Sequence, residues 1–248
     1  KAGDIAEREN AEIAINAGFF QIGGNEDGRP TGTLIINGKI FGLRTTKHYV
    51  FAIKNNKPYI ENWQPKIEIQ IAQGTFTPEK YNKFANNSSV ILYSDRWGYY
   101  TLTAFKNRNE IIISKENKVI GLVNHGNNNI PPEGYVLSLP KNQDVSFIKI
   151  GDLVKFKENH YSILEKSTSA IMGIPFLIID GLVNDKLSDS EKHARTAIGI
   201  DKDGKIIVIV AECIYTKSPG SLTLRETQDI FKKKNIAINE LNVNDIKK

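Results

Sequence analysis

The chain has 248 residues, 40% of them hydrophobic and 25% charged, with a formal net charge of +5 and a pI near 9.0, a profile that suits a globular protein large enough to bury a sizeable core. Its lysines are scattered, with no basic stripe carrying interleaved aromatics, so nucleic-acid recognition lacks its electrostatic footprint. Cys213 is the only cysteine, which excludes an intrachain disulfide, a CxxC redox pair and a zinc cluster, and no apolar run is long enough to be a spanning helix.

Taken in order, residues 4–14 carry helix formers with Ile5, Ala6, Glu9 and Ile13 near helical spacing and Asp4 as N-cap, which predicts a helix running into a short buried strand over 13–20. A glycine-rich loop with Gly23, Gly24, Gly28 and Pro30 follows. From Thr31 the pattern becomes a meander, with Asn37-Gly38 and Asn55-Asn56 as hairpin turns. Residues 66–72 alternate cleanly and predict a strand with one wet face, and Pro78 opens a short helix over 77–84. Strands are expected at 90–93 and 135–139, with a hairpin over 110–123 turning near Asn117. Gly151-Asp152 and Asp180-Gly181 mark further turns.

The densest signals lie between Lys192 and Glu226. Residues 196–200 and 205–211 are apolar and β-branched, and Asp201 to Gly204 supplies hairpin-loop chemistry. A four-residue loop places Ile200 opposite Lys205 and Arg195 opposite Val210, so His193, Arg195 and Glu212 project from one face. A slip of one residue sends Glu212 to the other face. Thr223-Leu-Arg-Glu226 fits a capping box opening a helix to about Lys234, and 236–243 suggests a last strand. The sum is one α+β domain of mostly antiparallel hairpins packed with a few helices.

Few constellations carry chemistry. His48, His125, His160 and His193 lack metal-ligand spacing, and P-loop, GxGxxG and GxSxG motifs are absent. Polar residues at strand ends remain. Asn16 beside Gly18 is either a turn after a strand or a place where backbone approaches a ligand. Asp95 and Arg96 either pair with each other or bind hydroxyls or phosphate, with Trp97 as a sugar-stacking face. Arg195 and Glu212 interrupt or close an apolar strand, so each must reach water, a partner or a ligand, or the two form a structural bridge.

The residues HARTAIGIDKDGKIIVIVAE at 193–212, followed by SPGSLTLRE at 218–226, resemble the core of the phosphodiester glycosidase family. In order along the chain, INAGFF with Pro30-Thr31-Gly32, LYSDRWG, VNHGNNNIPPEGYVLSL, GDLVKF and GIPFLIIDG match as well. The resemblance implies hydrolysis of the bond between a sugar's anomeric carbon and a phosphodiester, or of a related envelope glycan linkage. It implies a carbohydrate or phosphosugar substrate and an extracellular or cell-envelope location, and the histidine spacing calls for no metal or other cofactor.

It places Arg195 as the group that stabilises the leaving phosphate, Glu212 as acid/base or sugar-hydroxyl ligand, and Asn16, Gly18, Asp95, Arg96 and Thr196 against the substrate. Glu212 stands where the family usually has Asp, and Cys213 replaces the following glycine. The family's Asn-Leu-Asp-Gly-Gly-Gly-Ser motif begins at Leu241, but Asn244 replaces its Asp and Ile246-Lys247-Lys248 its glycines. The expectation is a family domain over 1–248 that is short at both ends, with a catalytically silent glycan- or phosphosugar-binding relative as the alternative.

Overall fold

Asn-Gly and Asn-Asn pairs adopt the left-handed conformation at little cost, and the two hairpin turns use it, with φ of 49° and 74° at Asn37-Gly38 and 51° and 59° at Asn55-Asn56. A computed structural model describes residues 2–84, 88–103, 108–159, 169–212, 221–233 and 240–245. Among these, antiparallel strands in several small sheets dominate, accompanied by two α-helices, so the protein is a strand-rich α+β fold. Its contacts divide into two compact units, one of residues 1–19, 48–63 and 169–248, the other of residues 20–47 and 64–168.

In the first unit, strand His48–Lys54 pairs antiparallel with Lys57–Trp63 on one side and Ser169–Gly173 on the other. A second sheet runs in the order Leu182–Val183, Phe176–Ile179, Glu240–Asp245, Arg195–Ile200, Ile206–Ala211. Helix Leu224–Lys233 packs on it through Phe231, which joins Leu177, Ile178, Leu187 and Ala197 in a buried cluster. The turn at Asp180-Gly181 forms as expected, with φ of 49° and 77°. Residues 236–239 of the anticipated last strand, together with Cys213 and His160, lie outside the described residues.

In the second unit, the five-stranded sheet runs Val119–Val123, Arg108–Ile113, Tyr135–Pro140, Ile91–Ser94, Lys80–Tyr81. Its core gathers Ile91, Tyr93, Trp97, Ile130 and Val136. Val154–Asn159, Lys66–Ile71 and Gly74–Phe76 form a separate antiparallel sheet. Lys66–Ile71 alternates exposed or half-buried with buried, as its sequence requires.

Three local expectations are corrected. The first helix spans Ala2–Arg8, so Asp4 sits inside its first turn rather than capping it. It stops because Asn10 turns left-handed at φ 50°, while the amides of Asn10 and Ala11 donate to Glu7 and Ala6, closing a Schellman end. Residues 13–20 form no ladder. Ile13 is 78% exposed, and within this segment only Phe20 makes a bridge, to Pro30. Residues 77–84 form no helix, since Lys80–Tyr81 pairs in parallel with Ile91–Leu92. Asn82, at φ 46°, locks this arrangement with side-chain bonds to the Phe41 carbonyl and to Ser94 Oγ, at 3.2 and 2.9 Å, and accepts the Ser94 amide at 2.8 Å.

Candidate functional site

The hairpin of Arg195–Ile200 and Ile206–Ala211 forms, but its register differs by one residue from the expected pairing. Asp201 is the cause. Its amide donates to the Lys205 carbonyl at 2.9 Å, and its carboxylate accepts the amides of Asp203 and Lys205 at 2.9 and 2.8 Å. With Gly204 left-handed at φ 79°, the turn closes as a three-residue loop, 202–204. Ile200 therefore pairs with Ile206, Arg195 with Ala211 and Thr196 with Val210. Glu212, exposed, continues the alternation onto the face that carries Thr196 and leaves the face that carries Arg195.

Arg195 is 3% exposed at the open end of this hairpin. Its Nε donates to the Leu222 carbonyl at 3.0 Å and its Nη2 to the Glu191 carbonyl at 3.1 Å. Burial lowers the guanidinium pKa, and the nearby Glu191 carboxylate opposes that shift, so the group stays cationic at neutral pH. Leu222 is itself fixed, because its amide and carbonyl exchange bonds with His193 at 3.1 Å each.

The helix that follows is anchored by the capping box read from the sequence. Glu226 N donates to Thr223 Oγ1 at 3.0 Å, and Glu226 Oε2 accepts Thr223 N at 2.8 Å. Lys192 Nζ holds the other Glu226 oxygen at 2.7 Å, and these contacts depress the Glu226 pKa. Thr223→Ala is expected to cost about 1 kcal/mol. For a chain of this size that lowers the thermal midpoint by about 2–4 °C, measured by circular dichroism.

Thr196 is 4% exposed and pairs in register with Val210 on one side and Asn244 on the other. Asn16 is exposed. Gly18 takes φ 77°, and a Cβ there would lie 2.9 Å from Ile171 Cδ1. Gly18→Ala is expected to cost about 1–2 kcal/mol from the left-handed backbone alone. A fall in the urea midpoint with an unchanged m-value is the readout.

Asp95 and Arg96 lie in the second unit. They pair with each other through two bonds of 3.0 and 2.7 Å, and Asp95 also accepts the Glu133 amide at 3.1 Å. Trp97 is 3% exposed, so the sugar-stacking surface expected there is corrected. Its ring packs on Tyr93 at 5.4 Å, the Arg29 guanidinium lies 3.6 Å from its centroid, and its Nε1 donates to the Thr101 carbonyl at 3.1 Å.

The second unit also holds a buried polar cluster that the sequence reading missed. Glu110, 1% exposed, accepts Ser138 Oγ at 2.9 Å, Thr101 Oγ1 and Thr103 Oγ1 at 3.1 Å each, and Asn128 Nδ2 at 2.8 Å. Arg108, equally buried, donates from Nε to Ser138 Oγ at 2.7 Å and from Nη2 to the carbonyls of Ser89 and Ser138 at 2.7 and 2.9 Å. Opposite charges two residues apart on an apolar strand were the available signal. Among the described residues, no three His, Cys, Asp or Glu side chains stand close enough to hold a metal, and no helix is long and apolar enough to cross a membrane.

These features define a strand-rich α+β protein with a cation held at the mouth of a hairpin. The model of the phosphodiester glycosidase family matches residues 66–239, most of the chain. An uncharacterized protein of Rickettsia conorii is 34% identical over 249 residues, covering 96% of this chain and 88% of that one. Two solved structures share the fold. One, a hypothetical protein from Synechocystis, has a TM-score of 0.76 at 18% identity. The other, a protein of Burkholderia pseudomallei with a provisional description as exported, has a TM-score of 0.74 at 15% identity. Each covers 98% of this chain, which spans 47% and 61% of their respective lengths. The chain belongs to the phosphodiester glycosidase family.

Proposed function

We propose that the protein hydrolyses sugar-1-phosphodiesters or related envelope glycan linkages, with Arg195 as the cation facing the leaving phosphate. The family match, which includes Arg195, Thr196 and Glu212, is the observation that carries this reading. A phosphate is already a fair leaving group, so a fixed cation that meets its developing charge contributes as much as a proton donor. Arg195 suits that role because two backbone carbonyls orient its guanidinium before any substrate arrives.

In this reading Thr196, Asn16 and Gly18 border the sugar, and Asp95 and Arg96 bind hydroxyls or phosphate on their own unit. Glu212 acts from the Thr196 face, on a sugar hydroxyl or as acid/base. The exported description of the Burkholderia protein supports an envelope or extracellular address. Incubating the purified protein with a panel of sugar-1-phosphodiesters, and following released sugar, tests the activity. No release from any member, under conditions in which a longer family member turns over, sinks it.

A second reading, glycan or phosphosugar binding without turnover, is favoured by Asn244. It stands where the family carries Asp and pairs in register with Thr196, beside Arg195 on the same strand. Calorimetric binding of a sugar-1-phosphate without hydrolysis, lost in Arg195→Ala, is its signature.

A further inference from the structure

We infer that the second unit carries a glycan-binding platform built from Tyr99, Tyr100 and the asparagine loop 127–129. This rests on the carbohydrate reading above but uses none of the residues of the Arg195 hairpin. Tyr99 is 88% exposed and Tyr100 49%, next to a tryptophan that is 3% exposed. Large aromatic rings offered to water in this way mark recognition surfaces.

The rings stand on a braced backbone. Tyr100 bridges Asn129 in antiparallel pairing, the Thr101 amide donates to the Asn128 carbonyl at 3.0 Å, and the Ile130 amide donates to the Tyr99 carbonyl at 2.9 Å. Beneath, buried Trp97 ties the turn through its bond to the Thr101 carbonyl. Glu110 clamps both loops at once, taking Thr101 and Thr103 from one and the Asn128 side chain from the other. A loop held by a buried carboxylate loses little freedom when a ligand binds, which favours affinity.

The chemistry on offer is specific. Tyrosine rings match the apolar C–H face of a pyranose, and the exposed Asn127 and Asn129 amides, each both donor and acceptor, match its hydroxyls. Half of Asn128's capacity is already committed, to Glu110 and to the His125 carbonyl at 2.8 Å, so it braces and its neighbours contact. Among the described residues 97–103 and 125–130 there is no Lys or Arg, and the ligand class is a neutral oligosaccharide chain.

The test is a two-dimensional NMR titration of the full chain with pyranose hexasaccharides, namely β-1,4-linked N-acetylglucosamine, glucose and mannose, and α-1,4-linked glucose. Saturable shifts at Tyr99, Tyr100 and Asn129 are expected with at least one, and the double variant Tyr99→Ala/Tyr100→Ala should weaken that binding about tenfold or more. Tyr99→Phe should retain it, and thermal midpoints should not move for Tyr99→Ala, an exposed side chain. Arg195→Ala should leave this binding intact while sharply lowering turnover, so failure here and failure of the hydrolase reading are separable. No saturable binding to any of the four chains, or binding indifferent to the double variant, overturns the proposal.

Discussion

Glu110→Ala is expected to destabilise the protein by about 3–5 kcal/mol, the largest stability effect we anticipate. Removing the carboxylate strips Thr101, Thr103, Ser138 and Asn128 of a shared acceptor. It also removes an acidic group whose charge favours the ionised Arg108 guanidinium, 1% exposed and joined to Glu110 through Ser138 Oγ. Burial already lowers the Arg108 pKa, and Tyr93 and then Glu110 work against that shift. Breaking a buried charge pair by removing one partner costs far more than replacing both. The double variant Arg108→Met/Glu110→Leu should therefore recover much of the loss. Urea denaturation of the wild-type, Glu110→Ala and double-variant proteins measures this, with a midpoint drop for Glu110→Ala of about 1–2 M. A loss below about 1 kcal/mol would show that the cluster contributes little.

Arg195→Ala is expected to lower kcat/KM for a sugar-1-phosphodiester by about 10²–10³, the largest effect on activity. The drop should fall on kcat, because the charge that Arg195 meets develops only as the phosphate leaves. Lysine should restore little. Its single ammonium is a point charge and lacks the planar fork with which Arg195 bonds the Leu222 and Glu191 carbonyls at once. Because Arg195 is buried, each variant's fold is checked by circular dichroism before its kinetics are read. A well-folded Arg195→Ala protein with unchanged kcat would remove Arg195 from the mechanism.

The tyrosine platform and the Arg195 hairpin depend on separate sets of residues, which makes them separable by mutation. The sequence offered Trp97 as the sugar-facing aromatic, whereas Trp97 is buried and the rings open to water are those of Tyr99 and Tyr100. The distinction was invisible in the residue string because WGYY at 97–100 offers three aromatic rings within a few positions. Which one turns inward is set by the space between Tyr93 and Arg29.

The sequence by itself determined whatever the backbone decides within a few residues. The Asn37-Gly38 and Asn55-Asn56 turns, the alternation of Lys66–Ile71 and the Thr223/Glu226 capping box all depend on local dihedral preference or on a bond between near neighbours, and all are present. The ordered motifs likewise identified the family. Tertiary structure decided what depends on distant partners. An apolar run such as 13–20 becomes a strand only where another edge accepts its hydrogen bonds. Tyr81 is drawn into a parallel pairing that outweighs the helical preference of its neighbours. Even the hairpin register was lost by one residue, since Asp201 closes a shorter loop than its composition alone requires. That single step separates Glu212 from Arg195, because side chains alternate along a strand and a shift of one residue exchanges the two faces.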